Sequence, residues 1–199
     1  MTRLVFLMIE GFADWEYGPV AALARESFGA EVAYASPGGR PVSSIGGLVA
    51  TPGLALEAVG VDDVDAVVVI GSEGWQRPEV RASVAPLLAA AHRAGRVVAG
   101  ICGGTLALAE AGLLDDRPHT SNRLAFLCDH VAAYRGAAHY VDRPSAVAAD
   151  RVVSAAGTAP ATFAVEVARL LWPEQAGEID GFAAMMAAEH RPAEGRERG

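Results

Sequence analysis

The sequence contains no lysine; all 16 of its basic residues are arginine. That excludes Schiff-base chemistry on a lysine amine and a Walker-type phosphate loop. A GC-rich coding bias accounts for the absence without any functional cause. Cysteine is nearly as scarce. Cys102 and Cys128 are the two present, in no metal-ligand spacing and no disulfide framework, so no structural zinc site is expected. Long apolar runs are missing too, and none reaches the roughly 20 residues that a membrane span requires. The opening Met1–Glu10 carries only a short apolar run, with no small-residue cleavage site after it, and reads as a first strand rather than a signal peptide. Net charge is −8, which disfavours nucleic acid and anionic membranes as partners. A soluble, cytoplasmic protein is expected.

What is present is apolar material: 52% of 199 residues are hydrophobic, enough for a sizeable core. One domain is expected over 1–190, with 191–199 as a polar, frayed tail. Strand candidates are Leu4–Ile9, Glu31–Ala35, Ala66–Ile70 and Arg96–Ile101. The last two are apolar on both faces, as buried parallel strands are. Residues 40–60, rich in Gly, Pro and Ser, read as a short hairpin and loops. Helices are expected over about Glu16–Glu26, up to about Ala94 with Pro86 as a start or kink, over Gly103–Glu110, and from about Thr158. Val147–Ala149 and Arg151–Ser154 read as two strands turning at Asp150. This alternation predicts a three-layer α/β/α sandwich, flavodoxin-like, with a mostly parallel sheet. Ligands of such sheets bind outside the carboxyl ends of the strands.

Gly100-Ile101-Cys102-Gly103-Gly104 has the G-x-nucleophile-x-G form, placed between a strand and a helix as that motif requires. The nucleophile is held in a strained conformation that projects it over the sheet edge, and the glycines leave room around it. The start of the following helix is expected to lower the thiol pKa. The Gly103 N–H is a candidate oxyanion donor, with a second from Gly71-Ser72 at the end of the neighbouring strand. The alternative is a buried structural cysteine in a glycine turn.

The run Val98–Thr105 followed by Ala111–Asp115 resembles the nucleophile region of the ThiJ/PfpI superfamily, whose fold is that of class I glutamine amidotransferases. Gly11–Glu16, Val69–Ser72 and Ala156–Pro160 match in the expected order, across about residues 3–171. The resemblance implies that Glu16 touches the sulfur, either poising the thiol or holding a sulfinate after oxidation. Ordinary helix-dipole complementation is the alternative for a first-turn glutamate. For a third partner the expected strand Arg117–Asn122, which climbs back to the active edge, offers His119; branches of the family that it resembles carry histidine directly after the cysteine, where Gly103 stands here, or at the position of Asn122, and His119 departs from both patterns. His119 orients or deprotonates the thiol, or is merely a half-buried strand residue. The histidine of the glutamine amidotransferase triad has no counterpart in Ala155–Pro160, so glutamine hydrolysis by that triad is not supported.

Cys128, in a helical pattern with His130, reads as buried filler. His130, His139, Tyr17 and Arg123 are candidate cleft residues, and Trp75 is either a pocket wall or packing. The expectation is a cysteine-dependent hydrolase of the amidase, peptidase or carbonyl-adduct type, needing no cofactor or metal and acting on a small molecule or peptide. A redox or stress-response protein that senses oxidant through Cys102, or a non-catalytic binding module, is the alternative. The resemblance implies a homodimer, with the Ala-rich Phe182–Met186 as its candidate interface.

Overall fold

A computed structural model describes residues 1–190 of the chain, so the reading of 191–199 as a frayed tail falls outside the described residues. The apolar runs fold as central strands: β1 (Arg3–Leu7), β6 (Ala66–Val69) and β7 (Val97–Ile101). Every residue of β6 is fully buried. With β2 (Glu31–Ser36), β5 (Leu54–Ala55), β8 (Val147–Ala149) and β9 (Val152–Ala155) they form a seven-stranded sheet in the order β5-β2-β1-β6-β7-β9-β8. All neighbouring pairs are parallel except β8 with β9. That last pair is the hairpin expected at Asp150, and both Asp150 and Arg151 take positive φ there. The hairpin expected within 40–60 is β3 (Val42–Ser43) with β4 (Val49–Ala50).

Side chains alternate across the sheet with period two. Leu4, Phe6 and Met8 face one core, and Val5, Leu7 and Ile9 the other. The first core is covered by α1 (Asp14–Phe28), α5 (Pro160–Leu171) and α6 (Ala176–Ala187). The second lies under α2 (Pro78–Arg93), α3 (Gly104–Glu110) and α4 (Leu124–His130). Full burial of a valine or leucine in such a core contributes about 1.5–3 kcal/mol. Pro86 neither starts nor interrupts α2, which runs through it. No described helix is long and apolar enough to cross a membrane.

Two expectations are corrected. Arg117–Asn122 is not a strand of the sheet, because β9 occupies the place beside β7; the segment is fixed by an isolated bridge from His119 to Tyr140. Cys128 is exposed rather than buried: of the short α4, only Leu127 is buried.

The chain leaves β1 toward β2 on one side, and β6 pairs on the other, so the connections reverse direction between β1 and β6. This is the crevice where ligands of open α/β sheets bind. The loops after β1, β6 and β7 meet there.

Candidate active site

Cys102 directly follows β7, and its N–H still donates to the Ala155 carbonyl of β9 at 2.9 Å. Its φ is +55°, and it is one of three non-glycine residues with positive φ among the described residues. A left-handed conformation costs a side-chain-bearing residue about 1–2 kcal/mol. The surroundings hold it there. Thr105 donates through both its N–H and its hydroxyl to the Cys102 carbonyl, at 3.2 and 2.6 Å. The Thr105 hydroxyl is also paired with Ser121 Oγ at 2.6 Å. A Cβ on Gly103 would collide with the Ser72 carbonyl, and one on Gly104 with the Val69 carbonyl. The glycines after the thiol are therefore needed because the end of β6 and the turn after it close against them.

The loop after β1 contributes a carboxyl. Glu16 lies in the first turn of α1 and is fully buried. Oε2 accepts the Gly71 N–H at 2.7 Å, and the Gly71 carbonyl takes the Ala13 N–H at 3.0 Å. The peptide groups of Gly71 thus fasten the start of α1 to the end of β6. Oε1 is buried without a hydrogen-bond partner. Its neighbour is the thiol: a Cβ on Gly157 would lie 2.9 Å from Cys102 Sγ and 3.1 Å from Glu16 Oε1.

Burial pushes the Glu16 carboxyl up to about 7, against the opposing pull of the Gly71 N–H and the Cys102 thiol. Burial also pushes the Cys102 thiol up, and the negative charge of Glu16 pushes it further. The Asn122 amide and the Gly103 N–H act the other way. The thiol is thus pushed up where the sequence led to an expectation of lowering, because burial and the Glu16 charge outweigh the Asn122 amide and the Gly103 N–H. Thiol and carboxyl titrate as one unit whose first proton leaves near neutrality.

The third contact comes from Asn122. Its Nδ2 donates to Cys102 Sγ at 3.4 Å, while Oδ1 accepts the Gly157 N–H at 3.0 Å. Four parts of the chain, the turns after β1, β6, β7 and β9, converge on one sulfur with an extended segment beside them.

The DJ-1/PfpI family model matches residues 2–170, nearly all of this framework. The chain belongs to the DJ-1/PfpI family. A DJ-1 superfamily protein from Agrobacterium tumefaciens is 42% identical, with a TM-score of 0.86 over 96% of this chain and 100% of that one. A ThiJ/PfpI family protein from Bacillus anthracis is 27% identical, with a TM-score of 0.81 over 96% of this chain and 92% of that one. Among curated proteins, the uncharacterized protease YoaZ of Bacillus subtilis is 30% identical over 178 residues, covering 85% of this chain and 84% of that protein.

Within this DJ-1/PfpI site the expected residues divide. Cys102, Glu16, Asn122, Gly71 and Gly103 come together. Gly71 is not a free oxyanion donor, because its N–H is committed to Glu16. Ser72 keeps its place: its nitrogen would lie 3.1 Å from a Cβ on Gly103, so the two backbones run side by side. Its hydroxyl is used locally, donating to the Glu10 carbonyl at 2.6 Å and accepting from Gly74 at 3.0 Å.

His119 is not among the hydrogen-bond partners of the sulfur. Nδ1 pairs with the Arg117 carbonyl at 2.8 Å and Nε2 with Tyr134 Oη at 2.6 Å. Tyr134 and Tyr140 flank its ring edge-on. Burial pushes its pKa down, so it stands neutral, donating from Nδ1 to the carbonyl and accepting the tyrosine proton at Nε2. Trp75 is fully buried with its N–H on the Ile70 carbonyl, which is packing rather than a pocket wall. His130 is turned onto the Phe126 carbonyl, His139 and Arg123 are exposed, and Tyr17 lines a separate 230 Å³ cavity with Phe12 and Tyr34.

Two residues escaped the sequence reading. Gly157 abuts the sulfur, and Trp15, 51% exposed, donates its indole N–H to the Gly157 carbonyl at 2.9 Å. Both lie inside matched motifs, but neither has a side-chain chemistry that singles it out.

Proposed function

We propose that the protein is a cysteine-dependent hydrolase acting on an amide, peptide or carbonyl adduct, with Cys102 as nucleophile. The observation that carries this reading is a buried carboxyl with one free oxygen beside a strained, half-buried thiol. With His119 engaged on both nitrogens, Glu16 is the group available to move the proton. Glu16 takes the thiol proton, and the sulfur bonds to the substrate carbonyl carbon. The carbonyl electron pair moves to oxygen, facing the Gly103 and Ser72 amides. The Glu16 proton passes to the departing nitrogen or oxygen as that bond breaks. Water, deprotonated by Glu16, then releases the acyl group and restores the thiol. The description of a Bacillus subtilis relative as a protease supports the reaction class.

A panel of amide, ester and glyoxal substrates tests the reading. The native protein is expected to turn over at least one, and Cys102→Ser to abolish that turnover. Undiminished activity in the variant overturns the proposal.

The same unpaired Oε1 favours a second reading, oxidant sensing. Peroxide oxidises the thiolate to sulfenate and then sulfinate, losing one water at each step, and Glu16 holds the product acid. Peroxide titration followed by intact mass separates the readings: Glu16→Ala is expected to lower the sulfinate yield. An unchanged yield removes this second role.

A further inference from the structure

The one contact to the sulfur that depends on a rotatable, exposed side chain is the Asn122 amide. An asparagine has a donating end and an accepting end, and only the former stabilises a thiolate. Asn122 lies in an irregular segment just before α4 and is exposed, so packing does not choose which end faces Cys102. The choice is made by the Gly157 N–H, which occupies Oδ1 and leaves Nδ2 for the sulfur. Gly157 in turn sits in the turn between β9 and α5, and its carbonyl is held by the Trp15 indole. Trp15 is half exposed, so burial of its ring does not fix that orientation; the N–H bond does. It also stands directly before Glu16 in the first turn of α1.

The geometry points to Trp15 as a positioning residue that acts through Gly157 to keep the Asn122 donor turned toward Cys102. One turn of α1 thus reaches the sulfur by two routes: directly through Glu16, and through Trp15, Gly157 and Asn122. The consequence is a thiolate whose reactivity depends on an indole N–H that does not touch it.

This inference rests on Cys102 being the reactive thiol, and the test separates the two claims. Iodoacetamide alkylation is followed against pH on the peptide that carries Cys102, because Cys128 is exposed and reacts as well. Asn122→Ala is expected to slow alkylation at pH 7 about tenfold and to move the midpoint upward, the loss of a charge-assisted donor. Trp15→Phe keeps a ring but lacks the N–H, and is expected to slow it roughly threefold in the same direction. In the double variant Trp15→Phe adds nothing, because its route ends at Asn122. Folding of each variant is checked by circular dichroism. A Trp15→Phe profile identical to the native one, or a full additional effect on top of Asn122→Ala, overturns the inference alone. Failure of native Cys102 to alkylate at all overturns both claims.

Discussion

Glu16 and His119 are both buried titratable side chains that the sequence offers as partners of one thiol, and they are treated in opposite ways. Each ring nitrogen of His119 has a partner, and two tyrosines flank the ring. Glu16 has one oxygen satisfied by a backbone N–H and the other left facing only the thiol. Buried polar groups are nearly always paired, because an orphan costs about 1–3 kcal/mol. A satisfied group has spent its capacity on holding the fold. A group left bare still has a proton site to offer. Residue type favours the histidine; the hydrogen bonds favour the glutamate.

The contrast predicts a crossed outcome. The largest effect belongs to Glu16→Gln: activity at pH 7 is expected to fall by roughly 10²-fold or more, the scale of a lost general acid–base group. In the native protein, activity rises as the shared proton leaves near neutrality; in the variant that inflection disappears from the rate profile. The same substitution acts on stability with the opposite sign. A carboxyl raised from 4.5 to about 7 on folding stabilises the protonated fold, and that advantage is lost as pH rises between those values. The difference amounts to about 3 kcal/mol. Glu16→Gln is therefore expected to melt higher than the native protein at pH 8 and to lose the slope in between. Thermal melts that fall in parallel would contradict this.

His119→Phe should do the reverse. It fills the same space but orphans the Arg117 carbonyl and the Tyr134 hydroxyl, and is expected to cost about 2 kcal/mol in urea unfolding. Cys102 alkylation stays within about twofold. A collapse of reactivity in a folded His119→Phe protein would return the histidine to the mechanism. The smallest change is Tyr134→Phe, which removes one hydroxyl from His119. A loss of about 1 kcal/mol with unaltered chemistry is expected from the same measurements.

The sheet was legible because its central strands are buried on both faces and spell continuous apolar runs, as in Ala66–Ile70. Cys102 was legible because a strand-to-helix turn lined with glycine is a steric requirement written directly in residue types. The extended segment 117–122 was harder to read. Its residues suit a strand, but which strand lies beside β7 is decided by the later β8–β9 hairpin, far along the chain. Choosing between His119 and Asn122 required three-dimensional distances, since both sit in one short stretch of similar polarity. Cys128 misled because a single turn of apolar spacing does not say how much of a short helix is covered. Trp15 and Gly157 act through one indole N–H and one backbone, which residue type alone does not announce.

The opening turn of α1 assigns three successive side chains to three different errands. Asp14 secures the β3–β4 hairpin at Gly46, Trp15 reaches the turn before α5, and Glu16 reaches the end of β6. Successive residues on a helix point about 100° apart, so none of these reaches can stand in for another. Inserting or deleting one residue there would swing all three away together, whereas a lengthened hairpin tip would disturb only its own bond. For anyone reshaping this scaffold, the α1 entrance is the place where chain length cannot be altered, and specificity is better varied in the loops it anchors.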